Sequence, residues 1–316
     1  MKLLITGGAG FIGSNFIQYM LEKYPECQIV NLDALTYAGN VKNLEEVVSN
    51  PRHNYIEGRI EDGELVDQLV AGVDVIVNFA AESHVDRSIL NPQVFIMTNV
   101  VGTQVLLNAA LRHGTTLFYQ ISTDEVYGAL DLDTNRGFTE ESRLCPNSPY
   151  SASKASADLL CIAYYHTFNL PVIVSRCSNN YGPRQHQEKY IPTVIVSALH
   201  DKSVPIYGDG LYVRDWIHVI DHCRAIDLIL HNGRPGEIYN IGASNEWANI
   251  ELAKRILSIL GKPEGLLASV PDRPGHDRRY AVDAGKIRRE LNWQPYIQFD
   301  TGLAETIRWY EEHFHD

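Results

Sequence analysis

Short apolar runs alternate with stretches of helical periodicity through the first half of the chain. The runs at 3–6, 29–33, 55–58, 73–79, 117–122 and 172–176 have strand length and are rich in Val, Ile, Leu and aromatic residues. Between them, at 12–24, 41–49, 62–71, 91–113 and 149–168, apolar residues recur every three or four positions, as on one face of a helix. This alternation predicts an α/β fold built on a doubly wound parallel sheet. Ligands of such sheets gather beyond the carboxyl ends of the strands, so chemistry is to be sought just after each run. After about residue 176 the pattern loosens into short elements, with turns rich in Gly, Pro, Asp and Asn at 179–186, 207–215, 232–236 and 271–277. The expected division is a sheet domain over 1–175 and a smaller substrate-binding region over 176–316, partly interleaved with it.

Composition narrows the class. A hydrophobic content of 45% over 316 residues is enough for a well-buried core. With 39 acidic against 27 basic residues the net charge is −12, which argues against a nucleic-acid partner and leaves any bound anion to local arginines. Cys27, Cys145, Cys161, Cys177 and Cys223 are scattered and lack CxxC spacing, as expected of reduced, mostly buried thiols in the cytoplasm. No eighteen apolar residues run together and the N-terminus has no long apolar segment, so neither a membrane span nor secretion is expected.

The first strand runs into Gly7-Gly8-Ala9-Gly10-Phe11-Ile12-Gly13, and the second run ends on Asp33. Gly7 permits a tight turn, Gly10 lets backbone approach a pyrophosphate, and Gly13 lets the following helix pack close with its amides facing the phosphates. The spacing is GxxGxxG, weak alone; the preceding strand, the amphipathic stretch after it and the acid about twenty residues on make it specific. This is a Rossmann-type dinucleotide loop. Asp33 is expected to accept hydrogen bonds from the adenosine ribose hydroxyls and to repel a 2′-phosphate, favouring NAD over NADP.

Tyr150 and Lys154 stand four apart at the start of a predicted helix and so share one face. A neighbouring ammonium and a positive nicotinamide would favour the phenolate, letting Tyr150 take a hydroxyl proton as hydride leaves the same carbon. The alternative is a surface lysine beside an N-terminal helix tyrosine. Asp124 and Glu125 follow the run at 117–122, where like-charge repulsion and desolvation should leave one of them protonated near neutrality. Such a pair supplies an acid beside a base, although Asp-Glu after a strand also serves as a solvated turn or helix cap. After the fourth run, Ala80 and Ala81 are small enough for backbone to approach a cofactor, Ser83 could reach a substrate, and His84 reads as a hydrogen-bonding scaffold. No HExxH or paired spacing marks a metal site among the histidines, and His313 with His315 falls in a terminal segment expected to fray. Loops at 176–184, 208–216 and 272–280 group arginines and amides, suited to a phosphorylated ligand or spent in surface ion pairs.

Together these strings resemble the extended short-chain dehydrogenase/reductase family, and within it the dTDP-glucose 4,6-dehydratases. The likeness covers nearly the whole chain: family-wide in the glycine loop and the Tyr-x-x-x-Lys pair, narrower at 32–40, 80–88, 122–128, 178–183 and 272–280. It implies a homodimeric enzyme that retains NAD, oxidises the sugar at C4, eliminates water across C5 and C6 and returns hydride to C6. Tyr150, with Lys154 and Thr123, would act on the 4-hydroxyl, Glu125 as base at C5 and Asp124 as acid at the C6 hydroxyl. The same resemblance places Phe11, Ile12, Asp33, Leu35, Thr36, Ala80, Ala81, Ser83, Thr98, Tyr150, Lys154 and Asn180 against NAD. It assigns Ser83, Thr123, Asn179, Lys189, Pro205, Tyr207, Arg214, Asn249, Arg273, His276 and Tyr280 to the nucleotide sugar. Apolar residues on 91–113 and 149–168 beyond the needs of one sheet face, Val94, Val101, Val105, Leu159 and Ile162, would join the dimer.

Three departures stand out. Arg59 occupies a place where the family commonly has an acid contacting adenine, with Asp62 as a nearby substitute; Gln187-Glu188-Lys189-Tyr190 replaces a usual Pro-Glu-Lys-Leu; and the connection at 112–116 is short. The rival readings are a UDP-sugar epimerase or decarboxylase of the same superfamily, which would not need Asp124-Glu125, and an NAD-binding scaffold without turnover.

Overall fold

Seven parallel strands form the central sheet, in the order β3-β2-β1-β4-β5-β6-β10. They are β1 (Lys2–Thr6), β2 (Gln28–Asp33), β3 (His53–Glu57), β4 (Val75–Asn78), β5 (Leu117–Thr123), β6 (Val172–Cys177) and β10 (Ile238–Ile241). The computed structural model describes every residue except 135, 273, 315 and 316. Because helices cover both faces, the middle strands are buried throughout; every residue of β5 is. Alternate residues feed two cores. Leu3 and Ile5 pack on one face beneath helices Phe11–Lys23 and Val219–Asn232, whereas Leu4, Ile76 and Phe118 pack on the other beneath Gly63–Val70, Pro92–His113 and Pro149–Phe168.

The last sheet strand, β10, comes from the chain's second half and pairs with β6, Ile238 against Val174. The rest of that half builds a third core around Ile191, Val194, Trp216, Leu252 and Leu303. It carries β7 (Asn179–Tyr181), β8 (Val204–Tyr207), β9 (Val213–His218), β11 (Glu246–Ala248), β12 (Leu267–Val270) and β13 (Arg279–Tyr280). β9 is flanked by β11 and β13, β7 also pairs with β9, and β12 pairs with β8.

Two helical expectations differ in detail. Over 41–49 only a short 3-10 turn, Val41–Leu44, forms, capped by the Asn40 side chain, and Leu44 and Val47 reach the core from successive turns instead. The stretch at 91–113 is one helix, Pro92–His113, but its middle, Ile96–Gly102, is wound as a π-helix. That helix is long and apolar enough for a membrane span by length and composition alone; here its inner residues Leu106, Leu107, Ala109 and Ala110 are wholly buried against the sheet.

Candidate active site

The strand order reverses between β1 and β4, and a cleft of about 280 Å³ opens at their carboxyl ends. Gly7, at φ +70°, makes the turn out of β1, and a Cβ on it would stand 2.7 Å from the Ala80 nitrogen. A Cβ on Gly13 would meet the Gly7 carbonyl oxygen at 2.4 Å, so this glycine sets how closely the next helix approaches. That helix starts at Phe11 with no side-chain cap and no acid in its first turn. Its exposed amide end faces the cleft with Gly10, Phe11 and Ile12, and so fits a pyrophosphate.

Asp33 is oriented by its own loop. One carboxylate oxygen accepts from the Ala9 amide and the other from the Leu35 amide, both at 2.8 Å. Burial raises its pKa, and the two amides counter that. Leu35, in the left-handed region at φ +45°, acts through its backbone and does not line the cleft. Thr36, Ala80, Ala81, Ser83 and Thr98 do line it. Asn180 lines it as well, with its carboxamide set by the buried His222, whose Nδ1 is 2.9 Å from Asn180 Oδ1. Desolvation lowers the His222 pKa to about 3, so the ring is neutral.

Tyr150 and Lys154 enter the same cleft from the first turns of helix Pro149–Phe168, which the Ser148 side chain caps. Lys154 donates to the Ile121 carbonyl at 2.7 Å, not to the phenol, and burial lowers its pKa. The Tyr150 phenol is pushed well up, by burial first and by the charge of Glu125 next; a hydrogen bond with Thr123 opposes both.

Thr123, Asp124 and Glu125 end β5 and begin a 3-10 turn facing Tyr150. Asp124 is only 2% exposed, and its pKa is raised well above the usual carboxylate range by desolvation, then by Glu125 and Asp215. Its Oδ2 has no hydrogen-bond partner among the described residues. Thr123 donates to the other oxygen at 3.3 Å and accepts from the Glu125 amide. A buried acid whose neutral form desolvation favours therefore adjoins a more accessible carboxyl group.

Of the residues expected to hold a substrate, Ser83, Thr123, Asn179 and Lys189 line the cleft, and Lys189 donates to the Ser83 carbonyl at 2.9 Å. Pro205, Tyr207, Arg214, Asn249, His276 and Tyr280 belong to the second-half strands and loops and do not line it. Two of them, Arg214 and Tyr280, are nonetheless tied to it electrostatically. Arg214, stacked 4.2 Å from the Tyr280 ring, lowers the Asp124 pKa, and Glu125 raises that of Tyr280. His276 stacks on Tyr212 at 3.6 Å and bonds Asp272 at 2.7 Å, and Tyr212 donates to the same carboxylate. Arg273 lies outside the described residues, as does His315. Most arginines of the expected anion loops are spent on acids: Arg176 on Asp158, Arg184 on Glu46, Arg278 on Asp209 and Arg279 on Glu246. Cys145 is the one exposed thiol; the other four are buried and none is paired.

Asp62, the substitute considered for Arg59, is committed elsewhere, capping helix Gly63–Val70 through the Glu64 and Leu65 amides at 3.1 Å. Glu61, Glu82, Cys177 and His186 line the cleft without having been singled out. Glu61 carried a signal, an acid two residues after Arg59; the other three carried none.

Residues 4–306 match the family model of GDP-mannose 4,6 dehydratase. A dTDP-glucose 4,6-dehydratase of Actinoplanes is 48% identical, covering 98% of each chain. The chain belongs to the dTDP-glucose 4,6-dehydratase family. The low-salt glycan biosynthesis protein Agl12 of Haloferax volcanii is 51% identical, covering 98% of each chain. Among solved structures, the family's DesIV from Streptomyces venezuelae, crystallised with NAD, superposes with a TM-score of 0.96 at 50% identity, covering 99% of this chain and 97% of that one.

Proposed function

We propose that this protein is a dTDP-glucose 4,6-dehydratase that works with NAD as a homodimer in the cytoplasm. The observation that carries the reading is the Asp124-Glu125 pair, an acid whose pKa burial raises beside a second carboxyl that lines one cleft with Tyr150. Elimination needs that acid and base in addition to a redox pair. Relatives at about 50% identity that bear this name, and a relative crystallised with NAD, support the substrate and the cofactor. The epimerase reading finds more distant neighbours, such as a UDP-glucose 4-epimerase of Thermotoga maritima at 29% identity.

The glycine loop would receive the pyrophosphate, and Asp33 the adenosine ribose. When bound, NAD supplies a hydride acceptor for C4, a donor for C6 and a positive charge that draws the raised Tyr150 phenol toward phenolate. Tyr150 takes the proton of the 4-hydroxyl onto its phenolic oxygen, and Thr123, bonded to it, holds that oxygen in place. Once C4 is a ketone the C5 hydrogen is acidic. Glu125 removes it while Asp124 delivers its proton to the departing C6 hydroxyl, and water leaves. Reprotonation at C5 by Glu125 restores that carboxylate, while Tyr150 releases the proton it took and Asp124 takes up one from solvent in place of the one carried off in water. Buried, unpaired thiols accord with a reducing compartment.

The test is dTDP-glucose carrying deuterium at C4. The expected product bears the label at C6 of the same molecule, read by mass spectrometry and NMR. Label left at C4, or lost to solvent, rejects the assignment.

A further inference from the structure

The base end of the cleft lies beyond Asp33, where Gly58, Arg59 and Glu61 face Ala81 and Thr98. Once the glycine loop holds a pyrophosphate and Asp33 a ribose, this is where the base attached to that ribose must go. Its polar side chains are of opposite kinds. Glu61 is held in place, since Thr98, aimed inward from the π-wound turn, donates to its Oε1 at 2.8 Å. Its second oxygen has no hydrogen-bond partner among the described residues. The Arg59 guanidinium stands 4.0 Å from the same Oε1, and Arg59 is far more exposed than Glu61, 59% against 16%. Glu82 also lines the cleft, close enough for the Arg59 guanidinium to lower its pKa against the rise from burial.

We infer that Glu61, with Arg59 beside it, reads the Watson–Crick edge of the cofactor's purine and selects adenine. A carboxylate only accepts and a guanidinium only donates. Adenine offers the matching order, an amino donor at N6 next to an acceptor at N1. Hypoxanthine reverses both, with an acceptor at O6 and a donor at N1, so each contact turns repulsive. Asp62 cannot take this part, because its carboxylate caps the next helix. The inference rests on the NAD reading given above and adds the residues that choose its base.

The test measures dissociation constants for NAD and for nicotinamide hypoxanthine dinucleotide by calorimetry on protein freed of bound cofactor. The native protein is expected to favour NAD by roughly 10- to 100-fold, the discrimination of one good pair of base-edge contacts. Glu61→Gln, whose amide accepts from N6 or donates to O6, should bring the two constants within about threefold. Thr98→Val should narrow the gap as well by releasing Glu61, and Glu82→Gln should leave it intact. Equal binding of both dinucleotides by the native protein overturns the inference alone, as does a gap unchanged in Glu61→Gln or abolished in Glu82→Gln. Failure to bind either dinucleotide overturns the cofactor assignment and this inference with it.

Discussion

Asp124 and Glu125 are neighbours in sequence but not in environment. Asp124 is buried beside Asp215, whereas Glu125 is half-buried toward the cleft. A carboxyl proposed to act as an acid must hold its proton at working pH, and burial raises the Asp124 pKa in that direction. The sign follows: elimination should persist where an ordinary carboxyl is ionised and decline as pH rises through the raised Asp124 pKa. Asp124→Asn should erase that alkaline limb and slow elimination by roughly 10²- to 10⁴-fold, as should Glu125→Gln, the loss expected for a positioned acid or base. In both variants a 4-keto sugar retaining its C6 hydroxyl should accumulate, seen by NMR; full-speed elimination in either would remove that residue from the mechanism. The sequence made this pair and the Tyr150/Lys154 pair legible because adjacency and i,i+4 spacing are local. It could not reveal how the phenol is shifted, which depends on burial, on Glu125 and on Thr123, or that the Ile121 carbonyl accepts from Lys154.

At the scale of elements, the π-wound turn at Ile96–Gly102 is the part of the helix pattern least visible beforehand. An extra residue per turn leaves the apolar spacing almost unchanged, so periodicity reports only a helix. Its effect is to turn Thr98 toward Glu61 and Asn99 inward. Asn99 then accepts from the Glu82 amide at 2.9 Å and donates to the Glu82 carbonyl at 3.0 Å and to Ser153 at 2.8 Å. One buried side chain thus joins the loop after β4 to the helix bearing Tyr150. Asn99→Leu should cost about 1–3 kcal/mol in urea unfolding by leaving these groups unpaired, and should weaken NAD binding because the Glu82 loop loses its anchor. Unchanged stability and affinity would show that the bridge is dispensable. The 41–49 stretch failed as a helix for the opposite reason: its apolar residues fit helical spacing, yet Asn40 and the following turns already satisfy the backbone.

At the scale of the whole molecule, six strands of the sheet were legible as apolar runs, and the seventh, β10, was not, because Ile238–Ile241 is short and sits among turns of the second half. Distant pairing of that kind leaves no local mark. Of the residues expected as an apolar surplus on the two long helices, Leu159 is exposed, whereas Val105 and Ile162 are spent on the core beneath the sheet. Pro92–His113 lies alongside Pro149–Phe168, and on them Ile96, Met97, Leu159 and Phe168 are exposed by 45%, 43%, 60% and 49%. Exposed side chains of this size are costly in water unless a partner covers them, and a second copy offering the same helices would do so symmetrically. A stable interface of this type buries more than about 1,000 Å² and concentrates its energy in a few central side chains. Met97→Lys combined with Leu159→Lys should therefore convert the protein from dimer to monomer in sedimentation equilibrium at micromolar concentration. Neither residue lines the cleft, so the double variant should still bind NAD. A native protein that sediments as a monomer, or a dimer indifferent to both lysines, would place the subunit contact elsewhere or remove it.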